Sequence, residues 1–280
     1  MKNNTFLLAV SVCFLCGCGQ SSNSGDPPSP SAITTTNTNN EVSRLLDQSI
    51  EAYGGKAAIE KLKAFKIKYH THNFKDLSKS FPPECENVLI EDLFKYPDKI
   101  CRTATTENGT KILRVSSNGR TMWGQDDTGR INTIAAPGFN EIVPPIVCRM
   151  YSLLNLKQNV HNIVLGETET IDGQTLDCIV LMDAGHPIGK VYFDPSTHYI
   201  KREVQYDTPD CRNLPTSVKQ SAATETTPED NKYFDGVVLA TKTTVCQKKQ
   251  KLFELQLLEI EFLKDIDDSL FEKPEGKLEK

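Results

Sequence analysis

The sequence predicts a mainly β, α+β fold: one long antiparallel sheet, opened by an N-terminal helix and interrupted by a second. Three observations predict it. Short alternating or apolar runs, divided by turn dipeptides such as Asp172-Gly173 and Asp194-Pro195, fill most of the chain from Phe65 to Ile266. Val42, Leu45, Leu46, Ile50 and Tyr53 recur at helical spacing ahead of them. One apolar stretch between Asn140 and Leu156, "EIVPPIVCRMYSLLNL", lacks strand alternation and reads as a helix. A strongly curved sheet with helices on its concave side is one way to build this pattern.

The first helix carries a fault. In "EAYGGKAAIEKLKAF", Gly54 and Gly55 separate the upstream pattern from Ile59, Leu62 and Phe65. Each interior glycine costs a helix about 1 kcal/mol relative to alanine, so the pair is expected to stop it. Strands then follow at 65–74, on both sides of Pro97-Asp98 within 86–105, at 110–119, and around a turn at Asp127 to Gly129. Pro144 and Pro145 suit the first turn of the second helix.

Beyond it, "NIVLGETETIDGQTLDCIVLMDA" and "GKVYFDPSTHYIKREVQYD" read as further hairpins. The polar stretch from Thr208 to Asn231 reads as a long loop. In the last strand Phe253, Leu255 and Leu257 share one phase, and Leu258, Ile260 and Phe262 the other. That change signals a bulge, or a strand buried on both faces.

The N-terminus speaks to location. Lys2 precedes an apolar run from Phe6 to Leu15, the length of a signal-peptide core and too short to span a bilayer. "LCGC", Leu15 to Cys18, resembles a bacterial lipobox, with cleavage after Gly17 and lipid attachment at Cys18; a plain secretory signal or an uncleaved anchor is the alternative. Cys13 and Cys16 follow bulkier residues and fit less well. Resemblance to bacterial lipoproteins implies several acyl chains on Cys18, enough for stable anchoring. Gly19, rather than an aspartate retention signal, makes the outer membrane, facing the periplasm, the better match. The expected organisation is a signal peptide (1–17), a disordered Ser/Thr/Asn-rich tether (18–40) reaching roughly 25 Å, a folded domain (41–274) and a short tail (275–280).

A net charge of -5 argues against nucleic acid, which selects a basic face. Six cysteines remain beyond the leader: Cys85, Cys101, Cys148, Cys178, Cys211 and Cys246. Disulfides are compatible with an even number in an exported chain, but six allow 15 connectivities. Cys178 and Cys246 lie in apolar runs and equally fit small buried hydrophobes.

Several pieces, in order, resemble the LolA/LolB-like outer-membrane lipoprotein-sorting superfamily. "LLDQSIEAYGGKAAIEKLKAFKIKY" is similar to its opening of helix, Ala-x-Gly-Gly, short helix and first strand. "YPDKICRTATTENG" resembles its Pro-x-Lys-x-Arg strand, and "VSSNGRTMWG" its Asn-Gly strand ending in Trp. "IDGQTLDCIVLMD", "GKVYFDPSTHYIKREVQYD" and "YFDGVVLATKTTV" resemble successive later strands, and "FLKDIDDSLFEKP" the closing strand with its Phe-x-x-Pro end. The resemblance implies an unclosed β-barrel with helices plugging an apolar concave face that holds acyl chains of lipids or lipoproteins. Apolar residues in the matching strands, Leu113, Val115, Met122, Trp123, Val180, Met182, Val191 and Phe193, are the expected cavity lining. The alternative is a non-catalytic envelope interaction or sensing module whose core is filled, with an envelope protein as partner.

No nucleophile, zinc-protease or nucleotide motif is present, so neither catalysis nor a cofactor is expected. "GHPIGK", Gly185 to Lys190, has too few residues for a P-loop and reads as a turn. His70 and His72 share a strand face without a third ligand at metal spacing. Asp265, Asp267 and Asp268 read as a solvated acidic loop.

Overall fold

A computed structural model describes residues 32–74, 86–126, 128–134, 145–183, 185–206 and 223–274. Helix α1 (Ala32–Ala52) and short helix α2 (Gly55–Lys61) lead into fourteen strands, interrupted by helix α3 (Pro145–Gln158). The strands are β1 (Ala64–Asn73), β2 (Asn87–Lys95), β3 (Lys99–Thr106), β4 (Lys111–Asn118), β5 (Met122–Asp126), β6 (Ile131–Ile134), β7 (Ile163–Leu165), β8 (Glu169–Ile171), β9 (Gln174–Asp183), β10 (His186–Phe193), β11 (Ile200–Gln205), β12 (Thr224–Phe234), β13 (Val237–Gln247) and β14 (Gln250–Phe262). They form one antiparallel sheet in the order β6-β5-β4-β3-β2-β1-β14-β13-β12-β11-β10-β9-β7, with β8 paired to β9. Strands β6 and β7 end the path and do not pair, so the sheet is not closed into a barrel among the described residues.

Three expectations change. Helix α1 begins at Ala32, inside the stretch read as a tether. Residues ahead of a packed segment extend a helix cheaply, one hydrogen bond per residue fixed, and Val42 to Tyr53 supply that packing. Residues 1–31, with the leader and Cys18, and the tail 275–280 lie outside the described residues. The polar stretch read as a loop to Asn231 contains most of β12. Its partner β13 carries the apolar side chains and pairs along its whole length, whereas β11 pairs only with Thr224–Thr226. That leaves room for Pro228, which has no N–H to give a second neighbour. Thirdly, "GHPIGK" turns only at Gly185, and the rest is the start of β10.

The phase change in the last strand is a bulge. Lys68 pairs with Glu259 and Tyr69 with Leu257, so Leu258 has no partner on β1 and stands 49% exposed. The extra residue returns Ile260 and Phe262 to the face already occupied by Leu255 and Leu257, where they pack against the main core.

That core lies between the helices and one face of the sheet. Val42, Leu46, Ile50 and Tyr53 of α1, and Ile146, Val147, Met150 and Leu153 of α3, meet Phe65, Ile67 and Tyr69 of β1, Ile90 and Phe94 of β2, and Val191 and Phe193 of β10. The opposite face is covered differently. The chain after β14 returns as a strap in which Ile266 and Phe271 cover Ala64, and β8 lies near Leu176, Cys178 and Tyr192. Lys95 pairs with Asp265 (2.7 Å) and Asp268 (2.8 Å), and Lys99 with Asp268 (2.6 Å). The two lysines hold the Asp268 carboxyl down to about 2. The acidic cluster is therefore a clasp for the strap, and Asp267 accepts from Ser269 N–H (3.0 Å) to cap its 3₁₀ turn.

The glycine pair works by close approach as well as by breaking the helix. Gly54 has φ 111° and Gly55 φ 63°, and a Cβ at Gly54 would lie 2.1 Å from the carbonyl oxygen of Gly236. Gly236 turns β12 into β13, so α1 ends by seating its backbone on that hairpin. Three contacts hold the seat: Val238 N–H donates to Tyr53 O (3.1 Å), Ile200 N–H to the Tyr53 hydroxyl (3.2 Å), and Lys61 pairs with Asp235 (2.6 Å). Gly54→Ala should lower stability by about 3 kcal/mol or more in urea titration. Gly109→Ala, at φ 82° with open space around it, should cost only the left-handed penalty of about 1–2 kcal/mol.

Candidate functional site

Strand alternation divides the eight expected lining residues between two faces. Val115 pairs with Arg102, which pairs with Asp92, and Asp92 pairs with the core residue Ile67. Val115 therefore looks toward the helices, and so do Leu113 and Met122, which pair with Ala104 and Ser117 respectively. Val191 and Phe193 lie on the same side, fully buried in the main core. These five share one surface.

The other three do not. Trp123 pairs with Ser116 and faces away from the helices, beneath the C-terminal strap. Its indole N–H donates to Phe271 O (3.2 Å), the Ser116 hydroxyl donates to the same oxygen (3.1 Å), and Arg114 lies 5.3 Å from the ring centre. Trp123 anchors the strap; adjacent Met122 and Trp123 cannot line one cavity because successive side chains in a strand point oppositely. Val180 and Met182 share the phase of Cys178 and also face away. Val180 packs against the small cluster of Leu176, Cys178 and Tyr192, where burial pushes the Cys178 thiol up to about 12.

Cys101, Cys178 and Cys246 are free thiols; Cys85, Cys211 and the Cys148 side chain are outside the described residues. His72 is engaged with Asn87 (2.6 Å), and among the described residues no group of metal-ligating side chains forms.

The helix-facing surface grades from buried to half-exposed. Near α3 it is closed by Phe65 and Phe94, stacked at 5.1 Å, with Tyr151 at 6.1 Å from Phe94. Leu113 packs on the edge of this core, and Val115 and Met122 continue the same face, all three half-buried. Helix α1 packs on β7, and α2 and α3 pack on β13, while Tyr151 of α3 reaches Phe94 of β2.

Two buried ionic groups interrupt this apolar surface. In the first, Asp92 receives Arg102 through Nε–Oδ1 (2.7 Å) and Nη2–Oδ2 (2.8 Å), and the Tyr69 hydroxyl donates to Oδ2 (3.0 Å). Asp92 is fully buried, and this bidentate geometry compensates its lost hydration. The second is looser. Arg149 of α3, 4% exposed, lies 3.6 Å from Glu203 of β11 and donates from Nη2 to the Thr243 hydroxyl (3.3 Å). Its Nε and Nη1 have no hydrogen-bond partner, nor do the buried hydroxyls of Ser49 and Thr71. Burial raises the Glu203 carboxyl above its ordinary value, opposed by Arg149. Sequence reasoning missed Arg149; its one signal was a charged residue inside the apolar first half of the helix, between Cys148 and Met150.

No family model matches the chain. No curated protein is similar to it in sequence. Solved structures are. A DUF1329 family protein from Desulfovibrio piger superposes with a TM-score of 0.52 at 10% identity, over 84% of this chain and 97% of that one. A LolA superfamily protein from Nitrosomonas europaea gives 0.50 at 12% identity, over 84% and 98%. The chain has a LolA-like fold. At these identities the likeness is one of architecture: an open antiparallel sheet with helices on one face. The LolA-like sheet here keeps its half-buried apolar row at the β4–β5 end, with Arg149 and Glu203 under the helices.

Removing one partner of the looser pair tests its energetics. Arg149→Met leaves Glu203 without its counter-charge and should cost about 3 kcal/mol; adding Glu203→Gln should recover most of it. A carboxyl raised in the folded state loses stability as pH rises from its unfolded value near 4.5 through the folded one. Arg149→Met should therefore lose more stability than wild type between pH 4.5 and neutrality, measured by thermal unfolding across pH. The double variant should not.

Proposed function

We propose that the chain is an exported, non-catalytic envelope protein, anchored through a lipidated Cys18, that binds a hydrophobic ligand on the helix-facing side of its sheet. The ligand class is an acyl chain of a lipid or lipoprotein, and the role is transfer or retention at the outer membrane. One observation carries this reading. Beyond the buried Asp92–Arg102 pair the helix-facing side turns apolar again, with half-buried Leu113, Val115 and Met122 on β4 and β5. Apolar surface of that kind gains about 25 cal/mol per Å² when a chain covers it.

The LolA-like fold supports the reading, because the superfamily it resembles holds acyl chains on this face. The leader-like N-terminus supports the location; among the described helices none is long and apolar enough to cross a membrane. The second reading, an envelope interaction module with a filled core, draws on the fully buried Phe65, Phe94, Phe193 and Leu153, which occupy the centre of the same surface.

Met122→Glu places a charge on the half-buried row, whereas Gln125→Glu places one on the opposite face of the same strand. Uptake of a fluorescent fatty acid should fall at least about tenfold for Met122→Glu, the cost of burying an unpaired charge, and stay unchanged for Gln125→Glu. Equal uptake by both variants would remove the β4–β5 row from the binding surface.

A further inference from the structure

The Arg149 group is under-satisfied in a way that identifies what it lacks. A guanidinium has five N–H donors, and buried polar groups are nearly always paired. Here Nη2 reaches Thr243 and Nε faces Glu203 Oε2 at 3.6 Å, beyond hydrogen-bond distance, while Nη1 has no partner, and the side chain is 4% exposed. Ser49 Oγ is likewise buried without a partner. It lies one helical turn before Tyr53, whose hydroxyl feels the charges of both Arg149 and Glu203. Thr71 Oγ1 completes the set: Thr71, Leu255 and Thr243 form one row across β1, β14 and β13, so Thr71 stands roughly 10 Å from Thr243 by strand spacing. Three polar side chains with unpartnered atoms, Arg149, Ser49 and Thr71, are thus buried together with the apolar core of the helix-facing side.

Charge is not the missing element. Glu203 already stands 3.6 Å from the guanidinium. A second carboxylate would place two like charges around one buried cation, which is costly. Neutral acceptor atoms are missing.

We propose that Arg149, with Ser49 and Thr71, receives the uncharged carbonyl oxygens of an ester or amide at the head of an acyl chain, the chain itself lying along the apolar face. This rests on the ligand reading above and adds to it a headgroup class and an anchor. Glu203, at Nε, and Thr243, at Nη2, are positioning residues: they hold the guanidinium plane so that Nη1 remains available.

The test uses the full-length protein in isolated envelopes and three photoreactive probes with the same diazirine-bearing chain: an N-methyl amide, a free fatty acid and a plain hydrocarbon. Labelling of the α3 peptide is read by mass spectrometry. The amide should label at least about tenfold more than the hydrocarbon, as a hydrogen bond to a charged donor gives, and more than the acid. Arg149→Lys keeps the charge opposite Glu203 but loses the planar fork; it and the Arg149→Met/Glu203→Gln double variant should label equally with amide and hydrocarbon. Circular dichroism confirms that each variant is folded. Equal labelling by amide and hydrocarbon in wild type would overturn the head site and leave an apolar ligand site standing. Preference for the acid would overturn the uncharged head. No labelling by any probe would overturn the ligand reading itself.

Discussion

Everything on the helix-facing side depends on the contact between two backbones, Gly54 against the carbonyl of Gly236. The space admits no side chain, since a Cβ would sit 2.1 Å from that oxygen. Because the turn fits there, Tyr53 can bond both Val238 and Ile200, and α1 is fixed to the β12–β13 hairpin and to β11 at once. Helix α3 then packs against both α1 and β13, tied by Tyr151 to Leu62 O and by Lys157 to Asp47. Arg149 lies beneath it only as a consequence.

The two faces of the sheet solve different problems. The strap side needs a cover, because an antiparallel sheet with apolar side chains on both faces cannot leave one in water. The lysine–aspartate clasp and the Trp123–Phe271 hydrogen bond hold that cover down with specific polar contacts. The helix side is larger, graded in exposure, and carries an arginine whose donors are incompletely used. A closed core would satisfy them internally; a surface that receives a ligand has a reason to leave them free.

Much of this was legible in the sequence. The glycine pair marked the helix break, Pro145 marked the start of α3, and the shift from Leu257 to Leu258 marked the bulge now seen in the pairing. Strand β12 was illegible because its residues are Thr, Glu, Asp, Asn and Pro, and the sheet is stabilised there by its neighbour's side chains. The division of faces was half legible. Apolar character picked out Leu113, Val115, Met122, Val191 and Phe193, which share the helix-facing side, and equally Trp123, Val180 and Met182, which face the far side. Composition reports that a residue is covered, not by what. The parity of Met122 and Trp123 held the information that separates them, and it takes a known cover on the second face to read it.

The most direct measurement is to purify the full-length protein from envelopes in a mild detergent, extract it with organic solvent and identify the extract by mass spectrometry. The account predicts an acyl lipid, distinct from any chain attached at Cys18 and from bulk envelope lipid in composition, at close to one per protein. Recovery of bulk lipid alone, at no fixed ratio, would contradict it and leave the fold serving a filled-core interaction module.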